Sequence, residues 1–115
     1  MFLNHIDNLK AFELNGEGMQ GVQKQILVSP KEGWQGWVMR RFILKKEGHT
    51  PYHRHPWPHI NYVLSGEGIL KTENEEKTVK AGSIAYIPAD SPHQFLNKGE
   101  DDFSFICIVP EEGEG

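Results

Sequence analysis

Apolar and polar side chains alternate along this chain in short runs, and glycine, asparagine or proline breaks each run. From Val22 to Val28, Val22, Lys24, Ile26 and Val28 fall on one side and Gln23, Gln25 and Leu27 on the other, the period of an extended strand. Ser29-Pro30-Lys31-Glu32-Gly33 ends that run. The same pattern predicts strands over 37–44, 60–64, 69–72, 77–80, 83–87, 92–97 and 103–109. No helical period is sustained. About nine short strands with frequent turn residues predict an all-β barrel or sandwich. Residues 1–115 are read as one domain. Within it, 1–20 is weakly patterned and is expected along a sheet edge or over a partner. Residues 110–115, Pro-Glu-Glu-Gly-Glu-Gly, are expected to be an acidic, flexible tail.

Several strands are apolar on both sides. Ile60, Tyr62 and Leu64 oppose Val63, and Ile84 and Tyr86 oppose Ala85 and Ile87. A small barrel with a wet exterior should alternate apolar with polar. A double-sided pattern therefore implies cover from outside, and a second copy of the chain in a homodimer is the expected cover, with local cover by the N-terminal segment as the alternative.

Charge narrows the function classes. The net charge is -4 and the pI about 5.8, with no basic run beyond Arg40-Arg41 and Lys45-Lys46, which argues against a nucleic-acid partner. No apolar stretch approaches the roughly 20 residues that span a bilayer, so no membrane partner is expected. The first residues lack the features of a secretory signal, and Cys107, the single cysteine, permits no intrachain disulfide. A cytoplasmic location is expected.

The chemistry gathers between Gly48 and Gly66. His53 and His55 are two apart, so an extended backbone points both imidazoles the same way. Pro56-Trp57-Pro58 reads as a stiff corner. His59 opens the next strand, and His93 follows a second proline-rich turn. Solvated histidines on a wet loop would be the bland alternative, but the spacing favours shared ligation of one metal ion by His53, His55, His59 and His93. Asp90, Ser91 and His93 lie too close in sequence to give a reason for hydrolase-triad geometry. His5 and His49 read as surface histidines, and Cys107 as a small buried hydrophobe that edges the pocket at most.

These residues resemble the cupin superfamily, in particular its small single-domain members. The family's first motif, G-x5-H-x-H-x3-4-E-x6-G, is similar to His53-x-His55, three residues to His59, then six to Gly66. Its second, G-x5-P-x-G-x2-H-x3-N, is similar to Gly82, Pro88, His93 and Asn97. Three positions depart. Gly48 stands one residue too close to His53, and Asp90 replaces a glycine, so that turn must accept a side chain in a left-handed conformation. His59 occupies the glutamate position, which points to a four-histidine subgroup.

The resemblance implies a cupin-type jelly-roll barrel around one divalent transition-metal ion. Imidazole suits zinc, copper, iron and nickel. The family adds manganese, and manganese or iron is favoured. Four neutral imidazoles leave the ion its full +2 charge, which strengthens binding of anionic oxygen donors. Arg40, Tyr52, Trp57, Asn61, Phe95 and Cys107 are candidate pocket residues. Of Arg40 and Arg41 one can face inward, although partial solvation of both is the favoured expectation. Asn97 shares the strand parity of His93 and is expected on the lumen side, and Gln94 is expected near the mouth. The function expected is a metalloenzyme of dioxygenase or related oxidoreductase type acting on a small oxygen-rich or aromatic substrate. A non-redox isomerase or lyase, or a small-ligand binding module, are the alternatives.

Overall fold

Nine strands and three single 3-10 turns make up the secondary structure of residues 1–114, which the computed structural model describes; Gly115, at the end of the tail, lies outside them. The strands are β1 (Phe12–Leu14), β2 (Gln20–Val28), β3 (Trp37–His49), β4 (His59–Ser65), β5 (Glu67–Thr72), β6 (Glu76–Lys80), β7 (Ile84–Ile87), β8 (His93–Asn97) and β9 (Phe103–Pro110). All pair antiparallel in one curled sheet of order β6-β5-β8-β3-β9-β4-β7, and β2 joins β3 with β1 beyond it. The all-β expectation holds. Residues 12–14, read only as a possible edge, pair with β2 through Phe12 opposite Lys24 and Leu14 opposite Val22.

Curling buries one face. Leu44, Val63, Leu70, Phe103 and Phe105 pack together there with Val22. Phe105 stacks on Phe95 at 4.2 Å and on Phe42 at 5.6 Å between ring centroids. These three rings form an aromatic wall between the packed core and the open end of the sheet. Two turns need their backbone geometry. Gly66, between β4 and β5, has φ +80°, and a Cβ there would strike the backbone of Asp102 and Phe103. Asp90 has φ +63°, the left-handed conformation that its place in the motif demands.

The outer face of β4 and β7 is bare. Ile60 opposes Tyr86 and Tyr62 opposes Ile84 across the two strands, and all four are exposed, Ile84 to 77% and Tyr86 to 66%. On β2 and β3 the outer face is covered instead. Gln25 donates to the carbonyls of Ile6 and Leu9 at 2.9 and 3.0 Å and accepts from Arg41 at 3.0 Å, which draws the first residues over the sheet. Among the described residues, no helix is long and apolar enough to cross a membrane.

Candidate metal centre

Backbone pairing sets the histidines against one another. The His53 N–H donates to the His93 carbonyl at 3.1 Å and the His93 N–H returns to the His53 carbonyl at 2.9 Å. Such a doubly bonded antiparallel pair places both side chains on one face. Downstream, the Asp90 N–H donates to the His55 carbonyl at 2.7 Å, which pins the loop carrying the second ring. His59 starts β4 opposite Ile87. The result is a ring of imidazoles: centroids of His53–His55, His55–His59, His59–His93 and His93–His53 lie 5.1, 5.2, 4.9 and 4.9 Å apart.

Ligand atoms of His53, His55 and His93 all fall within 4.8 Å of one another. His59 is outside that set of three, yet its Nε2 lies 3.2 Å from His93 Nε2. Hydrogen bonds assign the tautomers. His55 Nδ1 donates to the Trp57 carbonyl at 2.9 Å, and His93 Nδ1 to the Ser91 carbonyl at 2.8 Å. His59 Nδ1 donates to Asn61 Oδ1 at 2.7 Å, and Asn61 Nδ2 donates in turn to the Ile106 carbonyl at 3.3 Å, which fixes the amide's orientation. With Nδ1 protonated, each Nε2 presents a lone pair to the middle of the ring. Nitrogen ligands about 2.0–2.1 Å from a tetrahedral zinc lie about 3.3 Å apart, close to the spacing between His59 and His93. The donor set fits a metal ion.

Burial favours the neutral form of His53, His59 and His93. Burial, aided by His93 and His55, lowers His53 from the ordinary 6.5 to about 4. Burial lowers His59 to about 3, with His93, His55 and Arg40 adding to it and the Asn61 bond opposing. His93 is lowered by burial, with the Ser91 bond opposing. Uncharged imidazole is the form that binds metal.

The histidines line a cavity of about 420 Å³. Trp57, Asn61, Phe95, Cys107 and Arg40 line it as well. Tyr52 does not. It precedes an inward-facing histidine, so strand parity turns it outward, where it is 47% exposed beneath Lys71 Nζ at 5.5 Å from its ring. Both arginines are partly buried: Arg40 points into the lumen with its side chain 12% exposed, and Arg41 faces the other side of the sheet toward Gln25 and Ser104. Asn97 is buried but serves the loops, donating to the carbonyls of Leu44, Lys45 and Asp101. Gln94 donates to the Thr50 carbonyl at 2.8 Å and steadies the approach to His53.

A row of side chains crosses the sheet to the centre. Arg40 opposes Cys107, Cys107 opposes Asn61, and Asn61 holds His59. Arg40 Nη2 lies 3.1 Å from Cys107 Sγ. Burial raises the Cys107 pKa despite that guanidinium, so the thiol stays protonated. Lys24 and Glu114 were not foreseen here. Lys24 lines the cavity from β2, and Glu114 pairs with Lys24 at 2.8 Å and with Arg40 at 3.3 Å. The parity of Lys24 with Val22 and Ile26 was a signal for the first. Glu114 had none, because its contacts lie across most of the chain.

Comparison with known proteins agrees with this architecture. The polyketide cyclase RemF from Streptomyces resistomycificus superposes with a TM-score of 0.90 at 26% identity, over 96% of this chain and 80% of that one. A predicted oxalate decarboxylase from Thermotoga maritima gives 0.86 at 21% identity, over 95% and 98% of the two chains. In sequence, an uncharacterized protein of Methanocaldococcus jannaschii, MJ1618, is 38% identical over 48 residues, which cover 42% of this chain and 38% of that protein. An oxalate-binding protein of Thermotoga maritima is 28% identical over 50 residues, 44% of this chain and 41% of that protein. Both of those sequence matches thus span less than half of the relative's own length. The family model described as "Cupin domain" matches residues 40–109, more than half of the chain and all four of the clustered histidines, and the chain belongs to the cupin domain family.

Proposed function

We propose that this cupin binds one divalent transition-metal ion through His53, His55, His59 and His93 and acts on a small oxygen-rich or aromatic substrate beside it. The carrying observation is the 3.2 Å approach of His59 Nε2 to His93 Nε2 in rings whose Nδ1 atoms are both committed to oxygen acceptors. Two lone pairs repel at that distance, and a cation between them reverses the sign. Manganese or iron is the favoured ion, with zinc, nickel and copper compatible with imidazole. Bound there, the ion would supply Lewis-acid or redox chemistry to substrate oxygens. The chain's own residues shape the rest: Phe42, Phe95 and Phe105 offer a dry wall to a flat ring, and Arg40 puts a positive charge at the far side.

The first reaction we assign is oxidative, of dioxygenase type. Support comes from the groups that would otherwise move protons. Three of the imidazoles have their Nδ1 protons engaged, Cys107 is held protonated, and Glu114 is ion-paired. A Lewis-acid reaction of cyclase or isomerase type is the second reading, favoured by the likeness to a polyketide cyclase. Metal analysis of untreated protein tests the centre, and its absence after purification and reconstitution sinks the proposal. Oxygen uptake by iron- or manganese-loaded protein with catechol and flavonol substrates tests the reaction. Turnover by zinc-loaded protein without oxygen consumption selects the second reading.

We also propose that a second copy of the chain covers Ile60, Tyr62, Ile84 and Tyr86. An isologous contact suits this patch, which is apolar and lies on a sheet edge strand and its neighbour. A dimeric mass in solution that becomes monomeric in Ile84→Lys supports the interface, and a monomeric wild-type mass rejects it.

A further inference from the structure

Lys24 and Arg40 stand as diagonal neighbours on one face of β2 and β3, where Lys24 opposes Phe42 and Ile26 opposes Arg40. Their side chains are 17% and 12% exposed, and they are the lysine and the arginine of the cavity wall, which carries no carboxylate of its own. Two like charges so placed require an anion, since a buried charge without a counter-charge is costly. The strands around the cavity supply none. Glu114 does, from the turn after β9: Oε2 lies 2.8 Å from Lys24 Nζ and Oε1 lies 3.3 Å from Arg40 Nη1. One carboxylate thus divides its two oxygens between the two cations.

We propose that Lys24 and Arg40 form a carboxylate-binding subsite in the lumen and that Glu114 is its internal, displaceable occupant. The ligand class is a small organic carboxylate with a flat apolar body. Its acid group would replace that of Glu114, and its body would lie along Phe42, Phe95 and Phe105, which share the cavity. The strap carrying Glu114 is lightly fastened. Its 3-10 turn, Glu111–Gly113, contains no buried residue. Its backbone ties are Glu111 N–H to the Gly36 carbonyl and Glu114 N–H to the Glu111 carbonyl, at 2.8 and 3.1 Å. Gly113 lies so close to Trp57 that an added Cβ would come within 2.7 Å of the indole nitrogen. The strap therefore closes one side of the same cavity that the histidines line, and a ligand entering by its acid group would open it.

The subsite stands apart from the metal reading and is tested by calorimetry with sodium benzoate as probe and benzamide as its neutral counterpart. Full-length wild type, Glu114→Gln, Lys24→Gln and the double variant Lys24→Gln/Glu114→Gln are compared, with metal content measured on the same samples. A tethered competitor acts at an effective concentration of about millimolar or above, so Glu114→Gln should bind benzoate roughly tenfold or more tighter than wild type. The double variant should lose that gain, and benzamide should respond to neither change. Arg40 also packs on Phe42 and Cys107, which is why Lys24 carries the test. Equal benzoate affinity in wild type and Glu114→Gln, a gain shared by benzamide, a gain kept by the double variant, or no binding to Glu114→Gln at millimolar benzoate each overturns the proposal. Metal content judges the metal centre separately, so failure of either leaves the other standing.

Discussion

Asn61 accepts the Nδ1 proton of His59 at 2.7 Å and is itself locked by donating to the Ile106 carbonyl across β4 and β9. The amide is 2% exposed, so no solvent replaces it. Partners of this kind orient a ligand ring, and their loss usually weakens metal binding about 10–100-fold. Asn61→Ala is expected to lower metal affinity by that factor, and Asn61→Asp, which keeps an acceptor, to recover much of it. Competition against a chromogenic chelator measures both. Affinity unchanged in Asn61→Ala would show that His59 is not a ligand or needs no guide.

His93 is the hub of the cluster, paired by backbone with His53 and facing His59 through its Nε2. His93→Ala should abolish stoichiometric metal uptake while leaving a folded barrel. His59→Glu should retain uptake with a lower charge at the centre, since a carboxylate cancels one unit that imidazole does not. Metal analysis after equilibrium dialysis reads both outcomes, and full uptake by His93→Ala contradicts the shared site.

The neutral histidines make metal-free stability depend on pH in a defined direction. His59 titrates near 3 when folded and near 6.5 when unfolded, and His53 is lowered in the same sense. Between those values the unfolded chain binds protons that the folded chain refuses. Stability is therefore full above about pH 6.5 and declines as pH falls toward 4 and 3. For metal-free protein, moving from pH 7.5 to pH 5 should cost on the order of 2 kcal/mol through the buried His59 alone, or about 5–10 °C in melting temperature, with the more exposed His53 adding in the same direction. A melting temperature flat across that interval would mean that the rings accept protons in the folded state.

Gly66 closes the first motif because of where its missing side chain would go. Gly66→Ala forces φ +80° on an alanine and drives its Cβ into the Asp102 carbonyl and the Phe103 backbone. The expected loss is about 2–4 kcal/mol by chemical denaturation. A variant as stable as wild type would show that the β4–β5 turn can relax away from β9.

What the sequence discloses here follows from range. The strands, the left-handed Asp90 and the gathering of His53, His55, His59 and His93 depend on local alternation, a glycine position or spacing within a motif, and all were readable. Tyr52 adjoins His53 in sequence, but parity along the extended chain turns it away from that histidine, and it is 47% exposed. Choosing Arg40 over Arg41 needed the register of β3 against β9, and the pairing of Arg40 with Cys107 supplies it. Glu114 was invisible for the same reason at longer range: the segment after β9 reads as a frayed acidic tail, and only closure of the sheet brings it to Lys24 on β2 and Arg40 on β3.

Trp57 gives the molecule a built-in optical probe. Its indole stacks on His55 at 4.8 Å with planes 10° apart, and it also lies against the backbone of Gly113. An open-shell ion such as manganese or iron beside His55 should quench its emission, whereas closed-shell zinc should leave it bright. Trp34 and Trp37, stacked on each other at 6.3 Å, supply a constant background. The same fluorophore should shift colour when the strap swings away, so filling of the centre and opening of the cavity become separable by intensity and wavelength.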